Sequence, residues 1–562
     1  MLAARSRTCL AVLCATAALL CSRPAPAQHV DEYIERAANY EEALARHAVL
    51  MKRKPLRHHF IARELLAYTR KPEAFAILVE DWKKVKEYRD PSRYHLSTLF
   101  GSHFDTVEAA EVLRPLRLAN PKPADIWLWV QALRVETKCL GAADTLQIVR
   151  TDRSVHHQAA AVVALSLRGV DEMWDAIYHM ATNFPSKESD RCLVLGAMSG
   201  TVLKNKSKVR SERARAGMTA YISLLADAVK LDHTSKVQMA RHLQIALNGP
   251  GLLIQPEPWL LLLSQDAPKK PSGGGDTVTA PRFFGIETEG ERFCYVVDMS
   301  DSMLQEISPS VKPKGPVTGP KKKPKGEILN ENDLPWHAIN TRFDLAREHL
   351  KLSLLRLSED KYFSIVWFGD SSGTLPSCPG LIKATKSNVA KVCKDLDAIV
   401  PGPAQPGGSP LGSLRGDTNL HSGIRRAFAL SGKGFVETDA FIDAGPLTEG
   451  CDTIFLLSDG KPSIDDYHCM DKDYGEGEAI SDYETNAPAA RAPIMGYAGP
   501  YIHNYTIASD VERMNTFRRV RIHGIGIGEA DENLLRRLAD IGNGQVYMVG
   551  KEQKQEAARK PQ

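Results

Sequence analysis

Asp298, Ser300 and Ser302 follow directly after the apolar run 293–297. An aspartate and two serines at alternating positions, held at the tip of a buried strand, form an oxygen-only corner that suits a hard divalent cation. Alone this pattern is weak evidence, because Asp and Ser are common in any turn between a strand and a helix.

Two further segments follow in chain order. The first is the loop Gly416-Asp417-Thr418-Asn419, and the second is an apolar run, 454–457, that leads into Ser458 and Asp459. Hydroxyls and carboxylates are hard ligands, so Mg²⁺, Mn²⁺ or Ca²⁺ fits this set better than zinc or copper, which favour imidazole and thiolate. The alternative is ordinary turn chemistry at the ends of strands. The order of the three segments, and the apolar strands before two of them, favour the metal site.

These three segments together resemble the metal-ion-dependent adhesion site of the von Willebrand factor type A (vWA) domain. The resemblance covers residues 281–550 and implies a Rossmann-like α/β domain with a mostly parallel central sheet flanked by helices. It also implies a binding fold in which a partner's acidic group completes the coordination of the cation. Carried over by position, the implied metal ligands are Asp298, Ser300, Ser302, Thr418 and Asp459.

One residue departs from the family pattern. Asp301 stands where the family often has glycine. Two placements of its carboxylate are open: it points to solvent, or it adds negative charge near the ion. The second would change the affinity of the site and its preference among cations.

Length and composition favour a globular protein of two or more domains. The chain has 562 residues, of which 43% are hydrophobic and 25% charged. Its formal net charge of +4 is small for this size and does not indicate nucleic-acid binding.

The N-terminus predicts export. Arg5 and Arg7 precede an apolar stretch, and Ala25-Pro26-Ala27 is a small-residue cleavage site, so residues 1–27 are interpreted as a signal peptide. A lipid anchor at Cys21 is the alternative, although the preceding Leu20 is larger than such processing prefers. No segment is long and apolar enough to predict a transmembrane helix. We therefore expect a periplasmic or secreted protein.

Seven of the ten cysteines lie beyond the predicted signal peptide. An odd number at irregular spacings does not indicate a disulfide framework. Cys294 is expected in the core of the first strand. Cys451 and Cys469 flank the strand that ends before Asp459; either they pair or they are inert thiols.

Residues 28–265 have apolar positions at helical spacing throughout, which predicts an all-α N-terminal domain. Two stretches, 65–78 and 164–177, are alike: each reads as a helix end, a tight turn and a second amphipathic helix. They resemble HEAT-like repeats, although no fixed period is clear, and an irregular helical domain is the alternative. Residues 266–280, rich in Gly, Pro and Lys, are interpreted as a flexible linker.

The second half alternates strand and helix signals, including a strand predicted at 362–368 and a helix predicted near 511–518, which is typical of a parallel sheet covered on both faces. Two insertions interrupt it. Residues 308–326 are basic and rich in Pro, and they form either a solvated insertion or a basic rim that attracts acidic partners. Residues 464–500 carry several acidic side chains and are expected to be solvated, with a weak second cation site as the alternative. Residues 551–562 are expected to be a disordered tail.

Three functional hypotheses remain open. The first is an exported, non-enzymatic binding protein for cell adhesion or a similar role, whose vWA domain binds an acidic group of a protein partner through a cation. The second is a scaffold in which the cation is structural and the helical domain recognises the partner. The third makes the vWA domain an appendage to a hydrolase, but the helical half contains no GxSxG, HExxH or phosphate loop.

Overall fold

The computed structural model of the protein describes residues 36–227, 229–249, 254–264, 282–287, 289–312, 330–401, 414–438, 440–471 and 495–550. The predicted signal peptide, linker and C-terminal tail lie outside these residues, and so does most of each predicted insertion. The described residues from Ala38 onward form one compact unit.

The described residues up to Ser264 are all-helical, as the sequence predicts. They form thirteen α-helices, joined in places by short 3₁₀ turns: α1 Tyr40–Leu50, α2 Leu56–Thr69, α3 Pro72–Lys84, α4 Pro91–His103, α5 Val107–Leu118, α6 Ile126–Cys139, α7 Ala142–Thr151, α8 Val155–Arg168, α9 Glu172–Thr182, α10 Glu188–Lys204, α11 Glu212–Ser223, α12 His233–Leu247 and α13 Pro256–Ser264.

The two similar stretches of sequence both form a helix, a tight turn and a second helix. The first joins α2 to α3, and the second joins α8 to α9. In each, the first helix ends on a residue in the left-handed conformation, Arg70 with φ 54° and Gly169 with φ 66°. A left-handed residue stops a helix by turning the chain away from its axis, so local chemistry explains both turns.

The second half contains thirteen strands in its described residues: β1 Arg282–Phe283, β2 Ile286–Glu287, β3 Arg292–Asp298, β4 Tyr362–Phe368, β5 Ser372–Thr374, β6 Ile382–Lys383, β7 Leu430–Ser431, β8 Gly434–Phe435, β9 Thr453–Ser458, β10 Cys469–Asp471, β11 Met495–Tyr497, β12 Arg521–Gly526 and β13 Val546–Met548. Seven of them form a mixed sheet in the order β13-β12-β9-β3-β4-β5, with β6 also paired to β4. The strands from β13 to β4 are parallel, and β5 and β6 run antiparallel to β4.

Helices cover both faces of this sheet, which confirms the predicted α/β class at this coarse level. The helices of the second half are α14 Arg342–Leu355, α15 Lys386–Asp397, α16 Leu420–Phe428, α17 Ala444–Glu449, α18 Asn504–Asn515 and α19 Glu532–Gly542. Of these, α17 packs on α10, and the others cover the sheet. On β3, Tyr295 and Val297 pack with α14 and α15, whereas Cys294 and Val296 pack with α16, α18 and α19. This alternation explains why β3 reads as a continuous apolar run: both of its faces are buried.

One predicted helix is misplaced. The sequence predicts a helix near residues 511–518, but α18 spans Asn504–Asn515. Its first turn is polar, so apolar periodicity does not reveal where it begins. The chain then turns at Arg519, which has φ 53°.

The helical region packs directly on the α/β region. Ile442 and Phe517 of the second half belong to the same buried apolar cluster as helices α6 to α13, and Phe60 of α2 lies in the cluster on one face of the sheet. A buried ion pair crosses the same boundary, with Arg241 Nη1 on α12 lying 3.2 Å from Asp452 Oδ1. The two regions therefore share core structure.

All seven cysteines beyond the predicted signal peptide are free thiols. Cys294 is buried, as predicted. Cys451 is also buried and donates to the carbonyl of Ala427 at 3.4 Å, so the structure agrees with the inert-thiol interpretation rather than with a Cys451–Cys469 disulfide. Among the described residues, none of the helices has the length and apolar character that crossing a membrane requires.

Candidate metal-binding site

Two neighbouring strands deliver the two aspartates of the predicted site to one edge of the sheet. β3 ends at Asp298, and β9 ends at Ser458, one residue before Asp459. The strands are parallel, with Val297 opposite Leu457, so the residues that follow them lie side by side. The carboxyl ends of strands are where ligands bind in open α/β sheets.

A chain of short hydrogen bonds joins four of the five predicted ligands. The hydroxyl of Ser300 donates to Asp298 Oδ1 at 2.7 Å and lies 3.0 Å from the hydroxyl of Ser302. The hydroxyl of Ser302 donates to Asp459 Oδ1 at 2.6 Å. Both aspartates are fully buried, and Ser302 is the more exposed serine. The structure thus brings Asp298, Ser300, Ser302 and Asp459 together.

Thr418, the fifth predicted ligand, lies on a loop that is tied to both of these segments. Gly416 donates its N–H to Asp301 Oδ1 at 2.7 Å, and Asp301 donates its N–H to the Gly416 carbonyl at 3.2 Å. On the other side, the N–H of Thr418 donates to the hydroxyl of Ser463 at 2.8 Å. Thr418 is buried, and within the described part of the chain its hydroxyl forms no hydrogen bond. The hydroxyl is therefore available to another ligand.

Asp301 has a role that sequence reasoning did not anticipate. Asp301 is exposed, in agreement with the placement toward solvent, and its carboxylate also accepts the N–H of Gly416. Gly416 has φ 77°, and a Cβ at this position would overlap the carboxylate of Asp370. Asp301 therefore fastens the Thr418 loop to the loop that contains Ser300 and Ser302.

Part of the acidic insertion is also structural, and the expectation that its carboxylates are solvated is wrong for Asp465. This side chain is completely buried, and it accepts the N–H groups of Tyr467 at 2.7 Å and Tyr501 at 2.6 Å. Burial raises the pKa of Asp465. Its neighbour Asp466 accepts from the side-chain amide of Asn419 at 2.9 Å, which braces the residue after Thr418. The remaining acidic positions after Asp471 lie outside the described residues.

The electrostatics of the corner reflect two carboxylates in a dry environment. Burial, and secondly the negative charge of Asp459, together raise the pKa of Asp298 to about 6. Removing a carboxylate from water disfavours its charged form, and a second carboxylate nearby does the same. The five candidate ligands offer only oxygen atoms, and their two carboxylates give the corner a negative charge.

Among the residues that the structure describes, Arg342 is the positive group that contacts the candidate ligands, and sequence reasoning missed it. Its Nη1 donates to Asp459 Oδ2 at 2.8 Å, and the pair is buried. Arg342 is the first residue of α14, whose start is fixed by a capping box between Thr341 and Asp344. The capping box can be recognised in the sequence, but it does not indicate that Arg342 contacts an aspartate 117 residues away.

His421 lies close in sequence to Thr418 but faces another environment. Its Nε2 lies 2.9 Å from Asp510 Oδ2, and its ring stacks on Tyr501 with a centroid distance of 4.0 Å. Although burial opposes it, the guanidinium of Arg513 and the contact with His421 lower the pKa of Asp510. This histidine joins α16 to α18.

The residues present fit a hard cation by the chemistry of their donor atoms. Across the described ranges, no group of three or more His, Cys, Asp or Glu side chains is arranged to hold a metal. The candidate site depends instead on two carboxylates and on the hydroxyls of Ser300, Ser302 and Thr418. Such a set suits Mg²⁺, Mn²⁺ or Ca²⁺ rather than a transition metal with thiolate or imidazole ligands.

Comparison with known proteins assigns no family. No family model matches the chain, and no curated protein is significantly similar to it.

Proposed function

We propose that this protein is a non-enzymatic binding protein of the vWA type, which holds a divalent cation at the carboxyl edge of its sheet. The observation that carries the proposal is the hydrogen-bonded chain from Asp298 through Ser300 and Ser302 to Asp459, across two adjacent parallel strands. The hydroxyls of Ser300, Ser302 and Thr418 and the two carboxylates would hold Mg²⁺, Mn²⁺ or Ca²⁺. The cation supplies a positive centre for an anionic ligand.

Charge balance favours an acidic group on the partner. The two aspartates carry two negative charges, and Arg342 neutralises one of them through its contact with Asp459. A dication bound here therefore has more charge than the protein balances, and a carboxylate from outside offsets the difference. Recognition of a protein partner through Asp or Glu follows from this balance.

The surrounding fold supports the same proposal. The three segments of the candidate site come in the order that the vWA pattern requires, and two of them follow buried parallel strands. In the helical region, the similar turns after α2 and α8 support HEAT-like pairing of helices. Export to the periplasm or the outside stays a prediction, because residues 1–27 lie outside the described residues.

One observation favours a second function. Asp298 and Asp459 are each 0% exposed and Thr418 is buried, so among the candidate ligands Ser302 is the most open to a partner. A purely structural ion needs no access for a partner, so this burial favours it. In that case the protein is a scaffold, and its helical region recognises the partner.

Chelation separates the two functions. The full-length protein is applied to an array of peptides rich in Asp and Glu, beside matched Asn and Gln peptides, first in Mn²⁺ and then in EDTA. The first function predicts binding to the acidic peptides alone and its loss in EDTA while circular dichroism is unchanged. It also predicts loss on Asp459→Asn but not on the control Asp360→Asn, an exposed aspartate at the start of β4 that pairs with Lys361. Binding that persists in EDTA would support the scaffold, and the absence of any acidic preference would contradict the first function.

A further inference from the structure

Arg342 holds one oxygen of the candidate ligand Asp459. Asp459 uses Oδ1 to accept from Ser302 at 2.6 Å and Oδ2 to accept from Arg342 at 2.8 Å. The arginine side chain is 11% exposed and the aspartate side chain 0%. A charge-assisted hydrogen bond in so dry a place is stronger than one at the surface.

The guanidinium of Arg342 occupies a space that a glycine leaves open. Gly528, in the loop after β12, has φ 59°, and a Cβ added there would overlap the guanidinium of Arg342. Glycine is therefore required twice at this position, for its backbone conformation and for the space it leaves. Gly528 follows β12, the strand next to β9, so a third segment of the chain lies near the contact between Arg342 and Asp459.

The backbone of Arg342 is also hydrogen-bonded to the segment that follows Ser302. Its N–H donates to the carbonyl of Gln305 at 2.9 Å, and the N–H of Ile307 donates to the carbonyl of Asn340 at 3.0 Å. The residues just after Ser302 thus pair with those just before α14. Arg342 is fixed at both ends, and its contact with Asp459 is set by the fold.

We propose that Arg342 is a resident positive charge that competes with the divalent cation for Asp459 and so sets the affinity of the site. This inference rests on the proposed function. With Arg342 in place, Asp298 and Asp459 present one net negative charge to the cation instead of two. The site then holds its cation weakly until an acidic ligand contributes further negative charge, which couples cation binding to partner binding.

Two roles for Arg342 predict opposite results. If the guanidinium mainly repels the cation, removing its charge tightens cation binding. If it mainly orients the carboxylate of Asp459, the same change loosens cation binding, because the ligand loses its fixed position.

The test is titration of the full-length protein with Mn²⁺ at low ionic strength, using wild type, Arg342→Met and Arg342→Lys. Arg347→Met is the matched control, since it removes the same charge from the same helix at a residue that pairs with Asp344 and Glu348. We expect Arg342→Met to bind Mn²⁺ on the order of tenfold more tightly, because one like charge is removed near the ion. Arg342→Lys keeps the charge and should stay close to wild type, as should the control.

Thermal unfolding gives a second readout that does not depend on a partner. Without metal, Arg342→Met should unfold at a lower temperature than wild type, because Asp459 is left buried without its positive neighbour. Mn²⁺ should then raise its unfolding temperature by more than it raises that of wild type, as tighter binding requires.

The outcomes separate this inference from the proposed function. If wild type binds Mn²⁺ and Arg342→Met binds it equally or more weakly, the competing role is wrong and the proposed function stands. If neither protein binds Mn²⁺, Mg²⁺ or Ca²⁺, the proposed function fails and this inference fails with it. If Arg342→Met does not fold, a loss of affinity in the folded Arg342→Lys protein by tenfold or more would show that geometry matters more than charge and would overturn the inference.

Discussion

The buried pair between Arg241 and Asp452 offers a sharp prediction about what joins the helical region to the sheet. Arg241 is 3% exposed and Asp452 1% exposed. Asp452 Oδ1 accepts from Arg241 Nη1 at 3.2 Å and from the hydroxyl of Thr453 at 2.6 Å. Its Oδ2 accepts the N–H groups of Glu291 at 2.8 Å and Arg292 at 3.1 Å, just where β3 begins.

Removing Asp452 should lower the free energy of unfolding much more than removing Arg241 does. Asp452→Ala leaves the charge of Arg241 buried without a carboxylate, which costs about 3–5 kcal/mol of the free energy of unfolding. The same change strips two backbone N–H groups of their acceptor, which adds about 1 kcal/mol or more. Arg241→Met leaves Asp452 with its three other donors, so we expect a loss of only about 1–2 kcal/mol.

Urea unfolding followed by far-ultraviolet circular dichroism measures both losses. The double variant should be more stable than the sum of the single effects predicts, because Arg241→Met removes the charge that Asp452→Ala would leave unpaired. A loss for Arg241→Met as large as that for Asp452→Ala would refute this reasoning. So would strict additivity in the double variant.

Three further predictions follow from the same structure. Because the helical region and the sheet share a buried cluster, circular dichroism and tryptophan fluorescence should report one coincident unfolding transition, and two separated midpoints would contradict the shared core. Burial lowers the pKa of His349 to about 3, so between pH ~6.5 and ~3 the unfolded chain binds more protons than the folded chain, and the stability present above pH ~6.5 is lost as the pH falls. His349→Gln should therefore flatten the fall in urea midpoint between about pH 7 and about pH 4.5, which covers the upper part of this window, and an unchanged slope would exclude this histidine as a source of the pH dependence. Asp301→Gly should lower the free energy of unfolding by about 1 kcal/mol and weaken Mn²⁺ binding, since the cap on Gly416 is lost, whereas equal Mn²⁺ affinity in Asp301→Gly and wild type would show that the tie to the Thr418 loop is unimportant.

The parts of the fold that sequence could predict are those with strong local signals. The strand predicted at 362–368 matches β4, because Tyr362–Phe368 is rich in aromatic and β-branched residues and is bounded by polar residues. The juxtaposition of Asp298 and Asp459 was also predictable, since both follow apolar runs that parallel pairing places side by side. The antiparallel edge formed by β5 and β6 was not, because Ser372–Thr374 and Ile382–Lys383 are too short and too polar to be recognised.

The parts that sequence could not predict depend on contacts between residues far apart in the chain. Arg342 is an ordinary charged residue at a helix start until the fold places it against Asp459. Asp465 reads as one of several acidic residues in an insertion, and its burial depends on the N–H groups of Tyr467 and Tyr501. Burial of a charge is decided by its partners, and spacing along the chain does not reveal those partners.

The most direct test of the central claim is anomalous diffraction from crystals of the full-length protein grown in Mn²⁺. The account predicts an anomalous peak in contact with the hydroxyls of Ser300, Ser302 and Thr418, and no such peak in crystals of Asp298→Ala. Ordered loops around an empty corner at saturating Mn²⁺, or a peak bound only by other residues, would contradict it.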